Sequence, residues 1–310
     1  MVDRLLIKVA NLYYIKKLTE QEISNRLGIS RPKVSRLLKM ALEEGIVEIR
    51  INNKNNLVSM ERDLEEKYDL QEAIVVEYQE DDGNLKKELG KAAAVLLNRI
   101  IKNGDIVGIA WGTTIANIPQ YLKDNKHLEN TLFTPLVAGL GQVNYELQSN
   151  YITMKFAKAF NAKWQLLHAP AVVENKVVKE TILSDKMVGN SLKVASHSNI
   201  AVVGIGGPIN TSTILLSGYF GNDEINELNK EGAVGDICSR FFDINGNPCT
   251  KAEINNRIIG ITLNQLKSIN CVVGVAGGKN KIQAIKSVLK GDYLDILITD
   301  SLTAEELLKN

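Results

Sequence analysis

The stretch over 105–114 ends in residue types that could bind a phosphate group. An apolar run predicts a strand over 105–110, and Gly112, Thr113 and Thr114 follow it at the start of a predicted helix. Gly112 would let a ligand approach the backbone. The two hydroxyls and the free N–H groups of a helix N-terminus would then hold the anion. The alternative is that Thr113 only caps the helix.

A second stretch repeats this arrangement with a cation. A predicted strand over 271–276 leads into Gly277, Gly278 and Lys279, where another helix is predicted to start. A lysine beside a glycine pair and a helix N-terminus is typical of an anion site. In a parallel α/β sheet, ligands bind beyond the C-terminal ends of the strands, which is where both stretches lie.

Two further predicted strand ends carry glycines. Gly139 and Gly141 follow a predicted strand over 132–138, and we count them as candidate effector-binding residues. The run GIGGP over 204–208 weakly resembles dinucleotide-binding fingerprints. Because it lacks G-x-G-x-x-G and Pro208 removes an N–H from the turn, we exclude NAD.

Asp236 is the one carboxylate that we single out. It precedes a predicted hairpin, ICSRFFDINGNPC, with Asn245-Gly246 as its turn. The carboxylate could accept hydrogen bonds from sugar hydroxyls, or it could cap a turn.

The residue sets needed for catalysis or metal binding are not assembled. The sequence has no nucleophile elbow, no Ser/His/Asp pattern and no paired carboxylates. The cysteines form no C-x-x-C pair, and the histidines stand apart from them; these residues are Cys238, Cys249, Cys271, His127, His168 and His197. We therefore expect no catalytic residue, no metal and no cofactor. The thiols are typical of a reduced, cytoplasmic protein.

The spacing over 19–41 predicts a helix-turn-helix. Gly28 stands where the turn needs a positive φ, and an apolar stripe follows at i, i+3, i+4 and i+7. Thr19 with Glu22 forms a capping box, and Ser30 is predicted to cap the second helix. The residues between the stripe are mostly basic, which suits the DNA major groove. The alternative is a surface hairpin with a solvated basic face. The candidate DNA-contacting residues are Thr19, Gln21, Ser30, Arg31, Lys33, Ser35, Arg36 and Lys39.

Charge is distributed unevenly along the chain. Residues 1–56 carry eleven basic and six acidic side chains, whereas the remainder carries 26 basic and 30 acidic ones. A basic N-terminal part on a mildly acidic body fits a DNA-binding module attached to another domain. No window approaches the roughly 18 apolar residues of a membrane span, so we expect no membrane contact.

The remaining patterns divide the chain into three parts. We predict a helix-turn-helix domain over 1–52, with a first helix over 2–17 and a wing strand over 46–51. A linker and amphipathic helix over 53–70 follow; this helix could pair with a second copy or pack on its own body. Over 71–310 apolar strands alternate with amphipathic helices, which predicts an α/β domain with a mainly parallel sheet. Its predicted strands are 73–77, 105–110, 132–138, 163–168, 200–205, 257–262, 271–276 and 294–299. Its predicted helices are 85–101, 113–123, 149–160, 179–194, 279–289 and 303–308.

Four motifs in this order resemble SorC-type bacterial transcriptional regulators. They are TEQEISNRLGISRPKVSRLLKMALEEGIVEIRI, GIAWGTT, GDICSRFFDINGN and VAGGKNKIQAIKSVLKGDYLDILITDSLTAEELL. The resemblance implies an N-terminal all-α (winged) helix-turn-helix domain and a C-terminal α/β, Rossmann-like, sugar-isomerase-like effector domain. It also implies a sugar or phosphosugar effector, and dimers that assemble into tetramers on operator DNA.

The resemblance also implies roles for the residues singled out above. Gly112, Thr113 and Thr114 would take the effector phosphate, Lys279 would be its cationic partner, and Asp236 would accept a hydroxyl. Some relatives hold an aldehyde sugar through a lysine imine. The loop GLGQVNYELQSN over 139–150 contains no lysine that could do so.

We interpret the chain as a ligand-gated transcription factor, favoured as a repressor, of a carbohydrate-utilisation operon. Two alternatives stay open. The first is a sugar-phosphate isomerase or deaminase with an appended DNA-binding domain, which would need a general acid or base that the sequence does not reveal. The second is an architectural DNA-binding oligomer with a degenerate effector pocket.

Overall fold

A computed structural model describes residues 4–48, 56–122, 126–139, 145–208, 220–251 and 253–309. The chain divides into two compact units, Met1–Lys54 and Asn55–Asn310. Each unit has a hydrophobic core of its own. Within the described ranges, no helix combines the length and the apolar character needed to cross a membrane.

Three helices form the first unit over its described residues, 4–48. They are α1 (Arg4–Ala10), which continues into a π-helical turn (Asn11–Ile15), α2 (Glu20–Leu27) and α3 (Arg31–Glu43). The predicted stripe of α3 is buried in full, and it packs with residues of α1, α2 and the π-helical turn; this core comprises Leu6, Val9, Ala10, Leu12, Ile23, Val34, Leu37, Leu38 and Ala41. The opposite face of α3 is therefore left to solvent.

The turn between α2 and α3 follows the prediction, with one exception. Gly28 adopts a φ of +65° at the end of α2, and the Ser24 hydroxyl donates to the Ile29 carbonyl at 2.6 Å. Thr19 and Glu22 form the predicted capping box. Ser30 occupies the N-cap position of α3, but its side chain makes no capping hydrogen bond. That part of the prediction is wrong, and the start of α3 relies on its backbone and on Pro32 instead.

The predicted wing strand over 46–51 is only partly within the described residues. Residues 46–48 are not in a strand. Gly45, with a φ of +69°, turns the chain so that the Val47 N–H donates to the Ala41 carbonyl at 2.9 Å. This bond closes the end of α3 and uses a donor that a strand ladder would need. Residues 49–51 lie outside the described ranges.

The second unit begins with α4 (Leu57–Tyr68), which packs on its own body. Leu64 is fully buried. The carboxylates of Glu61 and Glu65 accept the backbone N–H groups of Val75 and Ala73 at 2.9 and 2.8 Å. Of the two predicted alternatives, packing on its own body is therefore the one that the structure shows.

Mostly parallel strands and the helices that cover them form the rest of the described part of this unit. The strands are β1 (Glu72–Val76), β2 (Ile106–Ile109), β3 (Leu132–Pro135), β4 (Lys163–Trp164), β5 (Ile200–Gly206), β6 (Ala233–Ile237), β7 (Arg240–Asp243), β8 (Cys271–Val275) and β9 (Ile296–Asp300). The helices are α5 (Asp82–Ile100), α6 (Ser149–Ala159), α7 (Lys176–Ser184), α8 (Lys186–Ser196), α9 (Asn222–Lys230), α10 (Ile254–Arg257), α11 (Leu263–Lys267), α12 (Ile282–Lys290) and α13 (Ser301–Leu308).

The sheet order places the C-terminal ends of β2 and β5 side by side. The order is β1-β9-β8-β5-β2-β3-β4, and every pair along it is parallel. The chain leaves β2 towards β3 and returns on the other side as β5, so β2 and β5 flank the point where the winding direction changes. A crevice forms at such a point, beyond the C-terminal ends of the strands.

The predicted hairpin is present, but its first turn lies elsewhere. The chain reverses between β6 and β7 at Cys238 and Ser239, which both have positive φ, as a two-residue hairpin turn requires. Asn245 and Gly246 form a second turn, after which Pro248 pairs with Phe242.

Two predicted helices are shorter or broken. In place of the helix predicted over 113–123, residues 113–122 contain two 3-10 turns, Ile115–Asn117 and Pro119–Tyr121, because Pro119 cannot donate within an α-helix. The helix predicted over 179–194 is interrupted at Asp185, whose carboxylate accepts from the N–H groups that start α8. An aspartate in this capping role ends one helix and begins the next.

Two predicted strands are largely replaced by other structure. Over 257–262 the chain completes α10 and then makes only isolated bridges, from Ile258 to Val172 and from Gly260 to Val137. Of the strand predicted over 163–168, only Lys163 and Trp164 pair with β3. Ile258, Ile259 and Ile261 are buried, but burial alone does not supply a neighbouring strand. Over 163–168 only Leu167 is buried.

Candidate functional site

A cavity of about 470 Å³ opens beyond the C-terminal ends of β2, β5 and β8. These three strands are neighbours in the sheet, so the loops that follow them meet. The hairpin β6–β7 and the segment from β1 into α5 close the remaining sides. The cavity is thus formed by parts of the chain that are distant in sequence.

The loop after β2 is built to present backbone donors. Gly112 has a φ of +143°, a conformation that side-chain-bearing residues rarely adopt. Its carbonyl accepts the Ala116 N–H at 2.9 Å and so tightens the turn. Thr114 is buried and Thr113 is half-buried against the cavity. In the described part of the chain, the N–H groups of Thr113 and Thr114 have no hydrogen-bond acceptor, which leaves them for an anion.

The loop after β8 faces the first one across the cavity. Gly278 has a φ of +97°, and its carbonyl accepts the Lys281 N–H at 2.9 Å to form a 3-10 turn. Lys279 is exposed at the mouth, where its Nζ lies 5.8 Å from the centroid of the Tyr78 ring. The ammonium group thus rests near an aromatic face and is within the lining of the cavity.

Lys281 supplies a second cation to the cavity. Burial, together with the charge of Lys86, lowers the pKa of its ammonium group, although Asp236 and Asp82 oppose the shift. Lys86 is itself paired with Asp82. Among the residues that the structure describes, Lys281 has no ion-pair partner within 4.0 Å. A half-buried ammonium group that makes no close ion pair favours the binding of an anionic ligand beside it.

The hairpin contributes the predicted carboxylate. Asp236 is buried at the cavity wall, opposite Gly206 in the pair of β5 and β6. On the same wall the Trp111 indole N–H donates to the Ser239 hydroxyl at 2.9 Å, in a buried contact. A carboxylate in this position can accept hydrogen bonds from the hydroxyl groups of a polyol.

The structure brings most of the predicted effector residues together. The cavity is lined by Gly112, Thr113, Thr114, Asp236, Gly277, Gly278 and Lys279. Gly139 is not part of this lining: its N–H donates to the Ala169 carbonyl, and its carbonyl accepts from Ala171. Gly141 lies outside the described residues.

Among the cavity side chains that sequence reasoning did not single out are Tyr78, Lys86 and Lys281. The position of Lys281 relative to the apolar stripe of α12 could have predicted that it points inward. It lies three, four and seven residues before Ala284, Ile285 and Val288, which form the buried stripe of α12. A lysine in phase with a buried stripe points inward. Tyr78 and Lys86 have no local sequence signal, because long-range packing of α5 and of the segment that leads into it brings them to the cavity.

The first unit presents the predicted DNA-binding face. All five polar side chains of α3 that we singled out are exposed, namely Arg31, Lys33, Ser35, Arg36 and Lys39. Arg31 Nε lies 3.4 Å from Glu20 Oε2, and Lys39 Nζ lies 3.7 Å from Glu43 Oε1. Exposed pairs of this kind contribute little to stability and are easily exchanged for phosphate contacts. Thr19 and Gln21 are exposed at the start of α2, and Ser30 is exposed just before α3.

A helix-turn-helix with a cationic face and a parallel α/β unit with a cavity at its strand ends, within one chain, define a DNA-binding regulator with a small-molecule site. Comparison with known proteins agrees. Residues 13–48 match the family described as "Winged helix-turn-helix DNA-binding", and residues 52–309 match "Putative sugar-binding domain".

Relatives and a solved structure extend the similarity over the whole chain. The chain is 36% identical to the deoxyribonucleoside regulator of Bacillus subtilis (strain 168), over 99% of this chain and 98% of that protein. It is 32% identical to the sorbitol operon regulator of Klebsiella pneumoniae, over 99% and 98%. The crystal structure of full-length SorC from Klebsiella pneumoniae superposes with a TM-score of 0.78 at 31% identity, covering 99% of both chains.

The chain belongs to the SorC-type family of transcriptional regulators. Its function is DNA-binding regulation of transcription, and the relatives support this interpretation rather than that of an enzyme with a DNA-binding appendage.

Proposed function

We propose that the cavity binds a phosphorylated sugar and that this effector controls binding to operator DNA. The observation that carries the proposal is the convergence of the two glycine loops around Lys281. Free N–H groups at Thr113 and Thr114 and the half-buried ammonium group of Lys281 suit a phosphate group. Asp236 in the cavity wall suits the hydroxyls of the sugar.

The proposal extends to assembly and place of action. A homodimer, or a tetramer of two dimers, would place two copies of α3 about 34 Å apart, or a multiple of that distance, in successive major grooves. The operator would then be a pseudo-palindrome. Operator DNA places the protein in the bacterial cytoplasm, and repression relieved by the effector is the simplest mode of control. Light scattering with and without operator DNA tests the assembly.

A stability screen tests the effector. The probes are ribose 5-phosphate, 2-deoxyribose 5-phosphate, glucose 6-phosphate and fructose 6-phosphate, with the free sugars and inorganic phosphate as references. A probe present at 100 times its Kd adds about 2.7 kcal/mol to the folded state. We expect one sugar phosphate to stabilise the protein and to change its affinity for DNA, whereas the matching free sugar does neither. Equal stabilisation by inorganic phosphate alone would contradict a sugar effector.

Three lysine variants locate the site. Lys281→Ala removes the half-buried cation, Lys279→Ala removes the one at the mouth, and Lys290→Ala removes an exposed lysine at the far end of α12. Loss of a charge-assisted contact lowers affinity by about ten- to a hundredfold. We expect this loss in Lys281→Ala, a smaller one in Lys279→Ala and none in Lys290→Ala. Wild-type probe affinity in Lys281→Ala would place the effector elsewhere.

A further inference from the structure

Asp300 connects the effector loop to the helix that follows it. It is the last residue of β9, fully buried, and the N-cap of α13. Its Oδ2 accepts the Gly278 N–H and the Thr303 hydroxyl, each at 2.7 Å. Its Oδ1 accepts the Thr303 N–H at 3.0 Å. One side chain therefore holds both the Gly277–Lys279 loop and the first turn of α13.

Asp300 packs tightly against the Gly277–Lys279 loop. A Cβ built on Gly277 would overlap Asp300 Oδ2. The Gly278 N–H is shared with the Thr303 hydroxyl, which lies 3.0 Å away. All of these donors are neutral, and among the described residues no cation pairs with Asp300. A buried carboxylate beneath a loop that receives an anion is costly, so its position indicates a role in fixing that loop.

The other end of α13 is held by α4. The Tyr68 hydroxyl donates to the Leu307 carbonyl at 2.8 Å. Lys67 Nζ donates to the carbonyls of Leu308 and Lys309, at 3.1 Å each. These carbonyls have no partner within their own helix, and a cation beside them is favoured by the helix dipole. An eight-residue helix of about 12 Å therefore spans the distance between the effector loop and α4.

Helix α4 is the first element after the boundary between the two units, which falls between Lys54 and Asn55. Glu65 and Glu61 of this helix also hold the N–H groups of Ala73 and Val75 in β1. A displacement of α13 therefore reaches α4 through named hydrogen bonds, without passing through the centre of the sheet.

We propose that Asp300 is a positioning residue for the effector loop, and that α13 transmits the position of this loop to α4 and so to the segment that leads to the DNA-binding unit. The inference rests on the proposed function, since it assumes an effector in the cavity. Two discrete arrangements of α13 against α4, biased by the effector, would provide the coupling.

The test removes one hydroxyl outside the cavity. Tyr68→Phe deletes the bond to α13 and leaves the ring in place. Tyr293→Phe is the matched control, because Tyr293 also donates to a backbone carbonyl, that of Gly246, at 2.8 Å. The probe is the member of the sugar-phosphate panel that stabilises the wild-type protein most. The DNA is a duplex that the wild-type protein selects from a random pool.

Two quantities are measured for each protein. The first is the Kd of the probe, followed by the fluorescence of Trp111, which lines the cavity, in a Trp164→Phe background. The second is the coupling factor, the ratio of the DNA Kd values with and without saturating probe. We expect Tyr68→Phe to bind the probe within about twofold of the background protein and to lose a factor of about two to ten in coupling, the value of one hydrogen bond. Tyr293→Phe should keep both quantities.

The outcomes separate this inference from the proposed function. An unchanged coupling factor in Tyr68→Phe, or an equal loss in Tyr293→Phe, would overturn the role of α13 while leaving the effector site standing. A wild-type protein that binds no probe, or binds one without any change in DNA affinity, would overturn both. Asp300→Asn provides a second test. This variant should bind the probe more weakly, because the loop loses its support, whereas Tyr68→Phe should not.

Discussion

Gly206 and Asp236 lie opposite each other across the antiparallel pair of β5 and β6, so closely that a Cβ on Gly206 would overlap the Asp236 carboxylate. Asp236 occupies its place on the cavity wall because residue 206 has no side chain. This contact explains why glycine stands at the end of β5 without invoking dinucleotide binding. The missing side chain makes room for the neighbouring carboxylate.

Gly206→Ala should therefore displace Asp236. Overpacking of this kind costs about 1–3 kcal/mol, and we expect a lower melting temperature together with weaker binding of the sugar-phosphate probe. Gly204→Ala, on the same strand, is the control, since its Cβ would make an ordinary contact 3.5 Å from Ile115. Calorimetric unfolding with and without probe measures both effects. A Gly206→Ala protein that melts and binds like Gly204→Ala would show that the displacement does not occur.

The DNA-binding face permits a prediction that separates two kinds of contact. Arg36→Ala should cost about 1–3 kcal/mol on the selected duplex and relax discrimination at one base pair, because an arginine fork reads guanine. Lys33→Ala should weaken binding to all sequences alike and lower the salt dependence by about one counter-ion.

Fluorescence anisotropy over a salt series, on selected and scrambled duplexes, distinguishes these two results. Lys158→Ala is the control, because Lys158 is an exposed lysine in the second unit. A uniform loss for both Arg36→Ala and Lys33→Ala would mean that α3 contacts only the phosphate backbone.

The sequence predicted the parts of the site that depend on local pattern. A run of apolar residues followed by glycine marks a strand end, so the two loops at Gly112 and Gly278 were found. Lys279 was singled out because it adjoins the glycine pair, whereas Lys281 was missed because its direction depends on the helix that follows. Tyr78 and Lys86 follow β1, the edge strand beyond β9, and no local pattern indicates which strand ends meet at the cavity.

The same distinction holds for the fold. Strands with a long apolar run, such as β5 and β8, were predicted within one or two residues. The segment over 257–262 has the same apolar character but forms only single bridges. Strand pairing depends on which segment is adjacent in the fold, and the local sequence does not determine that. The break at Asp185 did leave a local signal, a capping residue inside a helical pattern.

Gly28 gives a prediction confined to the first unit. Its φ of +65° strains any residue with a Cβ, although no atom lies within 4 Å of a Cβ there. Gly28→Ala should therefore destabilise the helix-turn-helix by about 1 kcal/mol through backbone strain alone. Gly28→Asn should cost less, since asparagine tolerates this conformation. Urea unfolding, followed through the helical signal, measures the difference. Equal stability of the two variants would mean that the turn relaxes.

Lys179 provides a prediction with a defined pH window. Burial, with the positive charges of Arg240 and Lys176, lowers the pKa of this lysine to about 8, against a smaller opposing effect of Glu180. In the unfolded chain a lysine titrates near a pKa of about 10.4. Between these values the unfolded state binds more protons than the folded state, so this group makes stability rise with pH from about 8 to about 10.4.

Lys179→Met should remove this rise and should stabilise the second unit at neutral pH, where the wild-type protein holds a charged ammonium group against two other cations. The measurement is the free energy of unfolding in urea at about pH 7 and about pH 10, taken as the difference between variant and wild type so that other titrating groups cancel. Lys290→Met, at an exposed position, serves as the control and should keep the wild-type slope. If Lys179→Met kept that slope as well, the ammonium group of Lys179 would be solvated in the folded protein, and its neighbours Arg240 and Lys176 would not affect its charge.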